Sequence, residues 1–558
     1  MLGSVTKRLA GWSPSREMSY AAAARSGAHR SRYSVRTADE DAFVRVMDGR
    51  VDGAHAVLGT VGMNVGEQAY RLPLQTDDGA HLWLTAGSGA GKTRLACGVI
   101  ETVVGPIIAD PGPCGRAVCI IDLKGDLADG VMRLIAARLA VLPRAQREAL
   151  RQRIIVLRPF AGRYAAPFQM LAPHPGVPPL VQARAVAEVI ETTLAAPLGS
   201  SQGPAFVALL ALAIERGLNL VEFRFLLQNR SCWTSFAESS AIPEARLYVL
   251  TRFAREKQSV FDGLSARVDG FLGPEAVKAC AAASEMIDMC ASFAPGAITI
   301  ADFSGAPLGA DGPRRALASI FLRRLVWAAF DPRRSLDAHV LMVCDEIQEG
   351  LTPSTERDLV RVLTTGRSFR ISLFAVHQGP TQLSSDLLQA LSTNVTTRII
   401  GRSSESDARA SLEWMPRTGR VSRPRPPGAP PPDGVDFLGR SEEAQHWVDV
   451  VQRLVPRRFL VSSRVESFQP RFVHARSFNP PPWRSLDPEV TDAVLRGGVG
   501  RPREELLSRA REIEERVAAE LISTARSAAV KSGRRDAPLL PDVISGLSRR
   551  RDADGGAL

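Results

Sequence analysis

The chain alternates between short apolar runs and longer stretches with helical spacing. The runs His81–Thr85, Ala117–Asp122, Ile154–Leu157, Ile298–Phe303, His339–Cys344, Ile371–Val376 and Thr397–Ile400 are predicted strands. Several of them carry no polar alternation. A strand with one wet face alternates, so these read as strands buried on both faces of a mostly parallel sheet. Shorter β-like runs precede them between about 55 and 76, at Ala56–Leu58 and Ala69–Leu74. Helical patterns lie between the strands, and the class is α/β.

From about 177 to 292 the strand pattern stops. Helical periodicity covers Leu180–Ala195, Pro204–Arg216, Leu220–Leu227, Pro243–Lys257 and Pro274–Met289, which predicts an all-α insertion. Pro416–Pro432 is rich in Pro and Arg and is expected to be a loop. Further on, Leu506, Ala510, Ile513, Val517, Leu521, Ala525 and Ala528 form one stripe of an amphipathic helix over Arg503–Val530, with Pro502 placed to start it. The first 40 residues hold a single acid, Glu17, before Asp39 and read as a flexible basic arm. The expected organisation is therefore a basic arm (1–40), a β segment with the first part of the α/β domain (41–176), the helical insertion (177–292), the second part of the α/β domain (293–478) and a helical C-terminal tail (479–558).

At 558 residues, the chain exceeds one typical core. Its 45 % hydrophobic and 23 % charged content excludes a mainly disordered chain. No apolar run approaches the roughly 20 residues of a membrane-spanning helix. The best candidates, Phe206–Ile214 and Ser319–Leu322, are cut short by Glu215 and by Arg323 and Arg324. Lys7 and Arg8 are followed by no long apolar segment, so a secretory signal is not expected. The net charge of +11 favours a polyanionic partner, nucleic acid before a membrane surface. Arginine-rich coding produces the same excess, so charge alone does not decide. The seven cysteines are scattered without a CxxC, which indicates neither a disulfide framework nor a zinc site and fits a reducing cytoplasm.

Four segments carry candidate chemistry. In the first, the strand His81–Thr85 runs into Ala86, Gly87, Ser88, Gly89, Ala90, Gly91, Lys92 and Thr93, and a helix is predicted from Arg94 to Val103. Glycines at 87, 89 and 91 let backbone N–H groups turn inward around phosphate oxygens, and the helix N-terminus adds partial positive charge. Lys92 is placed to reach the β- and γ-phosphates of a nucleotide such as ATP, and the Thr93 hydroxyl to ligate Mg2+. In the second, an apolar strand delivers Asp345 and Glu346 to its end. Asp345 suits Mg2+ held through water, and Glu346 suits an attacking water. The pair argues for hydrolysis.

The third segment, Asp122-Leu-Lys124-Gly125-Asp126, ends another buried strand in charge next to a glycine; Lys124 stands out in a lysine-poor chain, although a plain βα turn explains it too. In the fourth, a strand ends at His377 and Gln378. The Gln378 amide suits a water or a γ-phosphate, whereas His377 reads as structural. Arg367 precedes the same strand and so lies at its opposite end, where it suits a neighbouring subunit's nucleotide in a ring. A surface arginine and an ordinary strand-end glutamine are the bland alternatives.

Together these residues resemble the HerA/FtsK superfamily of P-loop ATPases, and within it the TraG/TraD-like type IV coupling proteins and their soluble relatives. Ala86–Thr93 corresponds to the Walker A segment, Ile121–Asp126 to the Asp-x-Lys-Gly segment, and Asp345–Glu346 to Walker B. Gln378 corresponds to the sensor glutamine, and Arg367 to the arginine finger. The strand Ile298–Gly305 and the helical insertion also resemble that branch, over roughly residues 55–478. The resemblance implies a RecA-like P-loop ATPase that uses ATP and Mg2+, assembles as a homohexamer and moves DNA independently of base sequence, with a relaxase, secretion channel or nuclease as possible partner.

Two departures stand beside it. Coupling proteins usually carry N-terminal transmembrane helices, and no such segment is seen here; the expectation is a cytoplasmic protein, docked at a membrane only through a partner. The tail after 480 matches nothing in that branch. Three readings follow: a DNA-translocating motor for conjugation, type IV secretion or mobile-element transfer; a HerA-like ATPase in DNA-end processing or phage defence beside a separate nuclease; and a nucleotide-gated assembly protein without DNA.

Overall fold

Most of the parallel strands form where the sequence is largely apolar, and charged residues gather where those strands end. The computed structural model describes residues 54–63, 66–74, 80–109, 114–194, 197–227, 229–283, 287–350, 352–413, 415, 437–463, 471–475 and 480–532. The expected arm (1–40), the Pro/Arg-rich loop (416–432) and the tail beyond 532 lie outside the described residues. In chain order the main strands are β1 (Ala54–Met63), β2 (Gly66–Leu74), β3 (His81–Thr85), β4 (Arg116–Asp122), β5 (Ile154–Leu157), β6 (Tyr164–Ala165), β7 (Ile298–Asp302), β8 (His339–Asp345), β9 (Ile371–His377), β10 (Val395–Ile400), β11 (Arg458–Ser463), β12 (Arg471–Ala475) and β13 (Arg501–Pro502). The chain divides into two compact units, Met1–Gly105 with Leu363–Pro480 and Pro106–Val362 with Pro481–Leu558.

In the first unit the strand order is β2-β1-β12-β11-β10-β3-β9. β3 lies parallel to both β9 and β10, with Thr85 opposite His377 on one side and Ile400 on the other. All five β3 side chains are buried, as a strand covered on both faces requires. Beyond β10 the pairings become antiparallel, through β11 and β12 to the β1–β2 hairpin. Buried polar side chains lock the parallel strands together. The Trp83 indole N–H donates to His377 Nε2, and the two rings stack 5.8 Å apart. His81 Nδ1 accepts the Leu373 backbone N–H at 2.9 Å. His377 is thus a structural residue, consistent with its apolar strand.

In the second unit β8, β4, β7 and β5 form a wholly parallel sheet in that order. Between Pro179 and Phe293 the described residues contain helices and 3-10 turns and no strand. The expected single helix from Pro243 to Lys257 is broken. It ends at Thr251, a 3-10 turn covers Phe253–Arg255, and a separate helix spans Gln258–Leu272. The break turns Phe253 into the core, where its ring meets Phe261 edge-on at 4.9 Å. Likewise the helix starting near Pro274 stops at Ala281.

The amphipathic C-terminal stripe does form one helix, Arg503–Ser532, and Leu506, Ala510, Ile513 and Val517 are buried. Ion pairs Lys278–Glu514 (3.1 Å) and Arg516–Glu222 (3.5 Å) tie it to the helical segment. Upstream of it, the Gly498 N–H donates to the Ile154 carbonyl of β5 at 2.7 Å.

The seven cysteines form no disulfide. Burial pushes the thiols of Cys119, Cys232, Cys280 and Cys344 up to about 12, which keeps them protonated and unreactive. No helix among the described residues is long and apolar enough to cross a membrane.

At the end of β4, Asp122 is fully buried. Its Oδ1 accepts the N–H groups of Lys124 and Gly125, both at 2.9 Å, and Oδ2 accepts that of Ala128 at 2.8 Å. Burial pushes its pKa up, while the three donors act in the opposite sense. This carboxylate satisfies the start of the helix Asp126–Leu139, whose N-cap, Gly125, has no side chain to do so. Asp122→Ala leaves those donors buried without an acceptor. It is expected to cost about 3 kcal/mol, read as a lower urea midpoint, with Asp122→Asn losing less because the amide oxygen still accepts.

Candidate nucleotide site

The phosphate-loop segment sits where the first unit's parallel strands end. The Ala86 N–H donates to the His377 carbonyl at 3.3 Å, and the Gly87 N–H to the Arg402 carbonyl at 2.7 Å. The Gly401 N–H donates back to Thr85 at 2.8 Å. The loop entrance is therefore clamped by the ends of β9 and β10. Gly89 and Gly91 take φ of +73° and +97°, a region open to glycine at little cost. A Cβ on Gly89 would meet nothing within 4 Å, so the turn faces open space. The helix then runs Lys92–Ala109, beginning two residues before and continuing beyond the expected span.

Lys92 is buried, and its ammonium donates to the Ala86 carbonyl at 2.8 Å and the Gly87 carbonyl at 3.5 Å. Both the cation and the helix N-terminus thus belong to the loop itself. Thr93 is half-buried in the first helical turn. Strand, glycine loop and helix together have the build of a phosphate-binding loop.

Gln378 follows β9 directly, beside this loop, and its carbonyl lies 3.5 Å from Thr85 Oγ1. Arg367 does not join them. It is exposed in the 3-10 turn Gly366–Phe369 ahead of β9. The seven residues of β9 span roughly 20 Å, so Arg367 and Gln378 occupy opposite ends of that strand.

The carboxylates belong to the second unit. Asp345 ends β8 and lies in register with Asp122, and both are buried. Its Oδ1 accepts the Glu346 N–H at 3.0 Å. Glu346 is 3 % exposed and takes φ of +51°, a left-handed conformation that costs a side-chain-bearing residue of order 1–3 kcal/mol. Its Oε1 lies 2.7 Å from the Lys124 ammonium, and its Oε2 accepts the Gln348 amide N–H at 2.7 Å. The oxygen donors Asp345 and Thr93 are of the hard type that Mg2+ prefers.

Arg457 escaped the sequence reading. It takes φ of +69°, its N–H donates to the Ala90 carbonyl at 2.8 Å, and a Cβ on Gly91 would lie 3.0 Å from its Cγ. It backs the loop from more than 360 positions away in sequence, where no local pattern signals it.

No family model matches the chain, and no curated protein matches it either. Solved structures similar to it include the plasmid coupling protein TrwB with the non-hydrolysable GTP analogue GDPNP. That match has 15 % identity and TM-score 0.45 and covers 73 % of this chain and 88 % of TrwB. TrwB with ADP and Mg2+ matches at 14 % identity and TM-score 0.46, over 74 % and 89 %. VirB4 of Thermoanaerobacter pseudethanolicus matches at 14 % and 0.47, over 78 % and 99 %.

The leading loop position is Ala86 because Gly401 makes room for its methyl group. A Cβ on Gly401 would lie 2.6 Å from Ala86 Cβ and 2.8 Å from Phe459 Cε1. Gly401→Ala is expected to lower the melting temperature by several degrees and weaken nucleotide binding. Adding Ala86→Gly should recover part of both, since it relieves one of the two clashes; calorimetry and equilibrium nucleotide binding check this.

Proposed function

We propose that the chain is a P-loop ATPase whose hydrolysis drives movement on DNA, a motor of the type IV coupling kind. The observation that carries the reading is the phosphate loop, clamped at the end of a doubly buried parallel strand and supplied with Lys92. The second support is the strand end Asp345–Glu346. Ala86–Thr93 would cradle the phosphates, with Lys92 neutralising their charge. Thr93 and Asp345 would hold Mg2+, which supplies further positive charge to the phosphates when bound. Glu346 would orient and polarise the attacking water, and Gln378 would contact water or the γ-phosphate.

The net charge of +11 supports a polyanionic track. A motor must grip what every step shares, so contacts to phosphates, not to bases, are the ones required. Lys92→Ala should abolish tight nucleotide binding, measured with a labelled ATP. Glu346→Gln should bind normally and lose about 10²-fold or more in hydrolysis. Unrelated duplexes should stimulate ATPase alike, with affinity falling steeply as salt rises. A flat salt response or a marked sequence preference would count against a motor, and wild-type hydrolysis by Glu346→Gln would remove the assignment of the base.

Arg367 completes the proposal as a residue acting in trans within a homohexameric ring. It is exposed and lies at the end of β9 away from its own phosphate loop, which supports service to a neighbour. A guanidinium arriving there stabilises charge on the transferring phosphoryl group, an effect of about 10³–10⁵ in rate where it has been dissected. Arg367→Ala should bind ATP and hydrolyse it poorly. Mixing it with Glu346→Gln should restore some activity, because some interfaces then hold both intact groups. Absence of rescue, with a lowered melting temperature for Arg367→Ala, would make the arginine a brace for its own strand.

A further inference from the structure

We propose that Lys124 is the positioning residue of the general base: its ammonium holds the Glu346 carboxylate in the orientation that hydrolysis needs. The inference rests on the reading of the chain as an ATPase with Glu346 as base. It names a residue for which that reading has no use.

Glu346 stands on a left-handed backbone immediately after β8, so its direction is not fixed by regular secondary structure. A carboxylate aimed at water must be held by something else. Lys124 Nζ lies 2.7 Å from Oε1, a charge-assisted contact, and the Gln348 amide takes Oε2.

The lysine is itself placed by a rigid turn. β4 neighbours β8, with Asp122 opposite Asp345, so the turn after β4 arrives beside Glu346. The Asp122 carboxylate holds the Lys124 and Gly125 N–H groups. Gly125 takes φ of +90°, and a Cβ there would lie 2.2 Å from Ser304 Oγ, so the close approach demands glycine. A surface βα turn has no call for such constraint on its lysine. The Lys124 side chain is also 37 % exposed, against 4 % for Glu346, so truncating it opens no sealed cavity.

The experiment uses the full chain and compares Lys124→Ala, Lys124→Arg, Glu346→Gln and the double variant Lys124→Ala/Glu346→Gln. Nucleotide affinity, kcat, KM and melting temperature are measured for each. Lys124→Ala is expected to lower kcat about 10- to 100-fold, the loss typical when a group orienting a reacting side chain is removed. Its nucleotide affinity and KM should stay within about twofold. Lys124→Arg should recover much of kcat, since it keeps the cation. In the Glu346→Gln background, Lys124→Ala should cost nothing further, because the lysine acts through the carboxylate.

Wild-type or raised kcat for Lys124→Ala overturns the inference. So does an additive loss in the double variant, which would mark a merely structural lysine. Full hydrolysis by Glu346→Gln is a different failure: it removes the base, and the positioning role with it.

Discussion

Burial of parallel strands on both faces is the constraint from which the rest of the structure follows. A strand so covered takes few polar side chains along its length, and most polar groups are displaced to its ends. Parallel strands direct their carboxyl ends to the same side, so what each one releases is gathered there. In the first unit β3 releases the glycine loop and β9 releases Gln378. In the second, β4, β7 and β8 release Asp122, Asp302 and Asp345 in one register. Arg367 sits at the amino end of its strand and is excluded from this gathering.

Carboxylates crowded at strand ends repel and lose hydration, and the structure answers each with donors. Asp122 receives three backbone N–H groups, Asp302 the Ser304 N–H and the Arg158 guanidinium, and Glu346 the Lys124 ammonium and an amide. Of the three, Asp122 is spent wholly on backbone and serves the turn. On Glu346 it is side chains that reach the two oxygens, Lys124 at Oε1 and Gln348 at Oε2. That difference separates a carboxylate built for architecture from one suited to chemistry more clearly than burial does, since both are buried.

The parallel strands and the glycine-rich turn between β3 and its helix were legible in the sequence because their signals are local. An unbroken apolar run marks a doubly covered strand, and glycine spacing with a lysine marks the loop. β11 and β12 were not legible, because short antiparallel strands with mixed composition resemble ordinary loop sequence. The break at Arg252 was hidden for a different reason: helical periodicity continues across it, and only the burial of Phe253 against Phe261 interrupts the helix. Residues that matter through distant contacts were the least visible. Arg457 reaches the loop, and Lys124 reaches Glu346 across 222 positions, by pairings that only the fold creates. Lys124 was noticed for its rarity, but composition could not say what it meets.

The chain after 480 contributes something other than a docking arm. β5 is the last strand of its sheet, and its outward backbone groups would otherwise lie bare. The Gly498 N–H takes the Ile154 carbonyl, and Gly497 comes so close that a Cβ would lie 2.5 Å from that same oxygen. Glycine is thus what allows the segment to seal the margin of the sheet. A bare margin is a template on which a second chain can add a strand. A side chain at Gly497 or Gly498 would push the segment off that margin and expose the Ile154 carbonyl to whatever strand came next.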